Sequence, residues 1–211
     1  MRIILASASP RRRELLSALI DEFEVIASEI EEPLIGDPVE NAERLALAKA
    51  QDVFDGNPDA LVIGADTIVF DEDVSYGKPA NEADVLAMWK ALGGRLHNVV
   101  TAFAVLSEER ARVDSDVAGV TLSDLDDEAV QAYASSGRPL DKAGAYAIQD
   151  EDVPTVKELA GCYCNVMGLP LYWLKQALEE AGVMCRDPAE SRPICRGCES
   201  YPRLPNLDDE R

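Results

Sequence analysis

"MRIILASASPRRRELL" (residues 1–16) sets the first structural problem of this 211-residue chain. Met1 to Ala6 is a short apolar run that reads as a strand. Ser9 is a good N-cap and Pro10 a good first helical residue, so a helix begins there and runs on through the arginines toward residue 20. Arg11, Arg12 and Arg13 then stand in the first turn of a helix, where positive charge opposes the macrodipole by about 0.3–1 kcal/mol per group. An anion at that point removes the cost, because free backbone N–H groups and guanidinium forks both bind phosphate oxygens. The alternative is a solvated turn whose arginines pair with Glu14 or Asp21.

Composition narrows the choice. Forty acidic residues against 20 basic ones give a formal net charge of −20, which argues against nucleic-acid binding through a basic surface. Basic clusters that persist against that field carry more information, and the acid excess suits a protein soluble in concentrated salt. No run approaches a membrane span and the N-terminus lacks a signal peptide's apolar core, so a cytoplasmic protein with no membrane partner is expected. The five cysteines are an odd number. Cys162 and Cys164 read most simply as free thiols. Cys185, Cys195 and Cys198 fall in a proline- and charge-rich tail, the last two as C-x-x-C. Zinc needs four ligands and the single histidine, His97, is far away in sequence, so tail zinc is the lesser reading. Residues 183–211 are expected as a loosely attached extension to a domain over 1–182.

Alternation and run length suggest strands near 2–6, 23–27, 60–70, 97–106 and 111–121. Helices are expected near 10–20, 38–54, 81–92, 125–135 and 169–181. Asp71-Glu72-Asp73 reads as a hairpin tip returning through Val74-Ser75-Tyr76. Strands and helices mix without regular βα alternation, which gives an α/β fold: a mixed sheet with flanking helices, in two lobes around a cleft.

Charged residues interrupt the apolar pattern. "LVIGADTIVF" (61–70) reads as a buried strand yet carries Asp66, a carboxylate that costs several kcal/mol unless a cation, a metal or backbone N–H groups compensate it. On the helix over 38–54, Lys49 falls on the stripe of Ala42, Leu45, Ala46 and Val53, where it snorkels out or meets an anion. "SEIEEP" (28–33) sends Glu29 and Glu31 to one face and Glu32 to the other if it continues a strand. Lys78 sits in a rigid Gly-Lys-Pro turn. Asp141, Lys142 and Gln149 lie in a small-residue segment where backbone approaches closely. Two carboxylates with several loop cations suit a divalent ion and phosphate oxygens. Neither G-x-x-x-x-G-K-[ST] nor G-x-G-x-x-G occurs, which removes the P-loop and dinucleotide folds. No serine or cysteine has His97 as an obvious base, and a structural or supporting role for that histidine is favoured.

With "ASASPRRRELL" (6–16), "SEIEE" (28–32), "ENAERLALAKA" (40–50), "GADTIV" (64–69), "GKP" (77–79), "GRLHNVVTA" (94–102), "LDKAGAYAIQ" (140–149) and "GCYCNVMGLPL" (161–171) in order, the chain resembles the Maf proteins. That family comprises nucleoside triphosphate pyrophosphatases related in fold to the inosine triphosphate pyrophosphatases. The resemblance implies hydrolysis between the α and β phosphates with Mg²⁺ or Mn²⁺, in a homodimer. It implies Asp66 as general base, Glu31 as a metal-linked carboxylate (with Asp66 a second ligand), and Arg11, Lys49 and Lys78 as phosphate-binding cations. Ser7, Arg95 and Lys142 join the expected substrate contacts, with Arg11, Thr67 and Gln149 tied to substrate choice. The intact "DKAGAYAIQ" implies the branch preferring dTTP and UTP. A purine-type pyrophosphatase acting on inosine, xanthosine or 7-methylguanosine triphosphate, and a non-catalytic nucleotide sensor linked to cell division, are the alternatives. Arg12 and Arg13 are expected to point away from the substrate. Asp150 stands where the family usually has glycine. Asp66 and Thr67 fall on opposite faces of the strand, so both reach one site only if the backbone bends near Gly64 or the strand end.

Overall fold

The computed structural model describes residues 1–72, 74–150 and 152–198. In chain order the elements are β1 (Ile3–Leu5), α1 (Pro10–Ser17), β2 (Glu24–Val25), α2 (Pro38–Asp55), β3 (Leu61–Asp71), β4 (Val74–Tyr76) and α3 (Glu82–Leu92). There follow β5 (Leu96–Leu106), β6 (Ala111–Leu122), α4 (Asp127–Ser135), β7 (Val156–Ala160), α5 (Tyr163–Met167), α6 (Leu171–Glu180) and α7 (Pro188–Ser191). Short 3₁₀ turns occupy Arg138–Asp141, Ala143–Ala145 and Pro193–Gly197. Each expected strand and helix is present, and the β3–β4 hairpin turns through Glu72 at φ 50°. Asp73 of its tip lies outside the described residues. β7 and α5 were not anticipated; both are five residues long, too short for periodicity to register.

The seven strands form one mixed sheet in the order β2-β1-β3-β5-β6-β7, with β4 also pairing on β3. β1 runs parallel to β2 and β3, and the long β5 lies antiparallel to both of its neighbours, β3 and β6. These three strands are long enough to serve two lobes. At one end the sheet is covered on one face by α2, burying Ala42, Ala46, Val62 and Val100, and on the other by α1 and α6, burying Leu15, Leu16, Ile63 and Leu174. At the other end α3 and α4 pack Trp89, Leu92, Tyr133 and Val130 against Val69, Val99 and Val120.

Two local features open the cleft between the lobes. One side of β3 pairs continuously with β5 from Val62 to Phe70. Its other side is covered by β1 only at Leu61–Ile63 and by β4 only at Val69–Asp71. Residues 64–68 therefore form a bare edge between two short strands. The second feature is Gly64, where a Cβ would lie 2.2 Å from the Ala46 carbonyl and 2.7 Å from the Ala50 nitrogen. Only glycine lets the backbone of α2 come this close to β3.

The C-terminal segment is not loosely attached as far as it is described. Val183, Ala189 and Cys195 join the core beneath α1 and α6. Arg186 pairs with Asp21 at 2.6 Å and Arg192 with Glu14 at 2.7 Å. These are the acids that composition offered to the α1 arginines; the tail takes them instead. Residues 199–211 of the expected extension lie outside the described residues.

Candidate active site

A cavity of about 870 Å³ lies against the bare edge of β3, between the α1 N-terminus, α2 and the segment 141–149. It falls within the range of small-molecule pockets and is large enough for a nucleotide. Asp66 and Thr67 both line it. Their side chains leave opposite faces of the strand, and with no neighbour along 64–68 each reaches round the open edge. No backbone bend is needed.

On the α2 face, Lys49 is 6% and Asp66 4% exposed, and Lys49 Nζ lies 2.7 Å from Asp66 Oδ1. The same ammonium lies 2.8 Å from Glu32 Oε2. Lys49 thus neither snorkels nor points at solvent; it compensates the buried aspartate, and the close approach at Gly64 brings it there. Burial raises the Glu32 carboxyl, but the Lys49 hydrogen bond and the charges of Lys49, Lys78 and Arg12 outweigh it and hold the group below the ordinary range.

Glu31 is exposed and lies outside the cavity, which Glu32 lines instead. The position implied by the resemblance is thus not the one that faces the cavity; β2 ends at Val25 and residues 26–35 form neither helix nor strand. Residues 28–32 therefore have no two-residue period to follow.

On the opposite face the arginines divide differently from expectation. Arg12 turns inward: its Nη2 donates to Thr67 Oγ1 at 3.0 Å, Nε to the Gly168 carbonyl at 2.9 Å and Nη1 to Ser7 Oγ at 3.4 Å. Burial pulls its guanidinium down from the ordinary value, opposed by the charges of Asp66 and Glu32. Arg11 also lines the cavity and holds Asp141 Oδ2 at 3.0 Å, whereas Arg13 is exposed and lies outside it. Helical spacing carried the signal, since Arg12 is three and four residues before the buried Leu15 and Leu16.

Arg12 rests on a directed chain of hydrogen bonds. Thr101 Oγ1 donates to the Asn165 carbonyl at 2.7 Å, which leaves it to accept from Thr67 Oγ1 at 2.9 Å. Asn165, fully buried, accepts from the Thr101 amide and donates to the Val99 carbonyl. Gly168, at φ 117°, aims its carbonyl at Arg12. Sequence reasoning missed Asn165, although an amide amid "CYCNVMGL" is the kind of polar residue that needs partners when buried.

The third wall is the 141–149 segment. Lys142 and Gln149 line the cavity, and Lys142 Nζ donates to the Arg138 carbonyl at 2.5 Å and meets Asp141 at 2.6 Å. Trp89 of α3 holds the segment through the Ala145 carbonyl at 3.0 Å. Tyr146 also lines the cavity, and its hydroxyl bonds Nε2 of His97 at 2.8 Å. His97 lies behind the cavity rather than in it, 1% exposed, with its pKa lowered by burial to about 4. Asp150 turns away to accept from the Tyr133 hydroxyl at 2.6 Å.

Lys78 is exposed at the cavity rim and forms no ion pair with another described residue, while Ser7 lies inside. Arg95 is elsewhere: it reaches the Ala91 carbonyl and pairs with Asp71 at 2.8 Å, outside the cavity. Among the described residues no three His, Cys, Asp or Glu side chains form a ready metal shell. Asp66 and Glu32 converge on one ammonium, and one or two carboxylates are what Mg²⁺ usually takes, its shell completed by waters and substrate phosphates.

The described residues include no helix long and apolar enough to cross a membrane. Three similar proteins carry the same functional name. A protein of Aquifex aeolicus called dTTP/UTP pyrophosphatase is 45% identical over 185 residues, covering 87% of this chain and 97% of its own. One of that name from Geotalea uraniireducens is 46% identical over 86% of this chain and 96% of its own. Another from Thermococcus gammatolerans is 43% identical over 80% and 91%. The family model described as Maf-like protein matches residues 2–181, so the chain belongs to the Maf family.

Proposed function

We propose that this protein is a nucleoside triphosphate pyrophosphatase that takes dTTP and UTP to the monophosphate and pyrophosphate in the cytoplasm. What supports the reading most is the Lys49–Asp66–Glu32 cluster facing Arg11, Arg12, Lys78 and Lys142 across one nucleotide-sized cavity. The names of the relatives point to the same substrates.

The triphosphate enters along the α1 N-terminus, where Arg11 and Lys142 donate hydrogen bonds to phosphate oxygens. Arg12 is a fork already fixed by Thr67, Gly168 and Ser7, so little ordering entropy remains to be lost when it binds an anion. Asp66 orients a water toward the α-phosphorus and takes its proton, and Lys49 holds the carboxylate in position. Lys78, without an ion pair to another described residue, neutralises charge that builds on the departing pyrophosphate. Asp66 and Glu32 are the carboxylates that would hold Mg²⁺ or Mn²⁺, which when bound supplies Lewis-acid stabilisation of phosphoryl oxygens. Gln149 presents both an amide donor and an acceptor, the complement of a uracil or thymine edge.

The test is a panel of dTTP, UTP, inosine, xanthosine and 7-methylguanosine triphosphates with Mg²⁺ or Mn²⁺, with both products identified. Pyrimidine nucleotides are expected to be cleaved to monophosphate and pyrophosphate. Saturable binding without product, or preference for the purines, would overturn the proposal. The homodimer implied by the resemblance is part of it, and light scattering that gave a monomer would remove that clause alone.

A further inference from the structure

Cys162 and Cys164 lie where β7 passes into α5; Cys195 and Cys198 lie in and just after the 3₁₀ turn Pro193–Gly197. More than 30 residues separate the pairs in sequence, yet the fold brings all four together. Cys164 Sγ is 3.6 Å from Cys195 Sγ. Cys162 belongs to the same buried cluster as Cys164 and Cys195, and Cys198 packs against it. Cys162, Cys164 and Cys195 are buried, at 4%, 0% and 6% exposure, and Cys198 is half-buried. Cys185, the fifth cysteine, takes no part: its thiol contacts the Val183 carbonyl.

From this juxtaposition we infer a structural metal site, in which Cys162, Cys164, Cys195 and Cys198 hold one Zn²⁺ as four thiolates. A C-x-C and a C-x-x-C turn facing each other supply an all-sulfur set of four, the number that closed zinc sites use. With Zn–S near 2.3 Å the edge of a tetrahedron is about 3.8 Å, close to the Cys164–Cys195 separation. Arg192, whose Nη2 meets Met167 Sδ at 3.6 Å, lies near enough to offset the thiolate charge. Cys164 already meets Cys195, but the four thiols do not stand as a finished shell, in line with the absence of a ready group of ligands among the described residues. Closing it requires the side chains to rotate inward and four S–H groups to release protons to solvent as the Zn–S bonds form.

The metal would fasten the C-terminal segment to α5. That helix carries Asn165 and ends at Gly168, the two residues supporting Thr101 and Arg12. The inference does not depend on the substrate proposed above.

The experiment is elemental analysis of the full chain purified without chelator, with native mass and Co²⁺ replacement. One zinc per chain is expected, with the absorption of a tetrahedral tetrathiolate after Co²⁺ exchange. C195S and C198S should lose stoichiometric zinc, and C185S should keep it. Should the serine variants fail to fold, the Co²⁺ spectrum of the wild-type protein still decides the ligand set. Overturning results are a zinc-free chain with four reactive thiols, a native mass lowered by two disulfides, stoichiometric iron, or zinc retained by C198S.

Discussion

At the residue scale, the site depends on which member of each like-charged group faces inward. Glu32 and Arg12 do, and their neighbours Glu31 and Arg13 do not. Glu32→Gln should lower kcat by about 10²-fold and weaken the dependence on Mg²⁺ or Mn²⁺, with Glu31→Gln close to wild type. Arg12→Ala should likewise raise KM and lower kcat far more than Arg13→Ala, since only Arg12 is held by Thr67 and Gly168. Titrating each variant with metal and with UTP separates these effects. His97 carries a pH signature of its own. Its folded pKa, about 4, lies below the ordinary 6.5. Between those values the unfolded chain binds the extra proton, so stability is fully present above pH 6.5 and falls as pH drops toward 4. The loss is about 3 kcal/mol at most. Urea unfolding across that window should show the slope, and His97→Asn should flatten it, whatever it costs at pH 7.

At the element scale, α2 and β3 make the site together. Gly64 lets α2 approach, and the short β1 and β4 leave the edge of β3 open to the cavity. Gly64→Ala must push the α2 backbone outward. A loss of about 1–3 kcal/mol is expected in urea unfolding, with a fall in kcat as Lys49 moves away from Asp66. The long elements were legible in the sequence because their patterns are strong, and Lys49 on an apolar stripe and Asp66 inside an apolar strand each called for compensation, though neither named the other as partner. The pairing of Asp66 and Thr67 in one cavity was not legible as geometry. It follows from where β1 and β4 stop, a property of neighbouring strands that no single stretch of residues encodes. Glu31 and Arg95 came from the resemblance, which matches positions along the chain and not the direction in which a side chain leaves a coil or the start of a strand.

At the scale of the whole molecule, a net charge of −20 surrounds a cavity lined with cations. Salt should act on the two in opposite ways. Screening relieves repulsion among surface carboxylates, so the melting temperature should rise by roughly 5 °C between 0.1 and 1 M KCl. Over the same range, weaker attraction at the cavity should raise KM for the triphosphate. Calorimetry and initial rates at matched ionic strengths check both.

The most direct measurement compares UTP turnover by the wild-type chain and by Asp66→Asn, with circular dichroism and unfolding curves recorded on both. A carboxylate that positions and deprotonates water contributes on the order of 10²–10⁴ in rate. The expected result is a folded variant whose kcat falls by at least about 10²-fold. A folded variant that keeps a tenth of wild-type activity would contradict the assignment of Asp66 as the base.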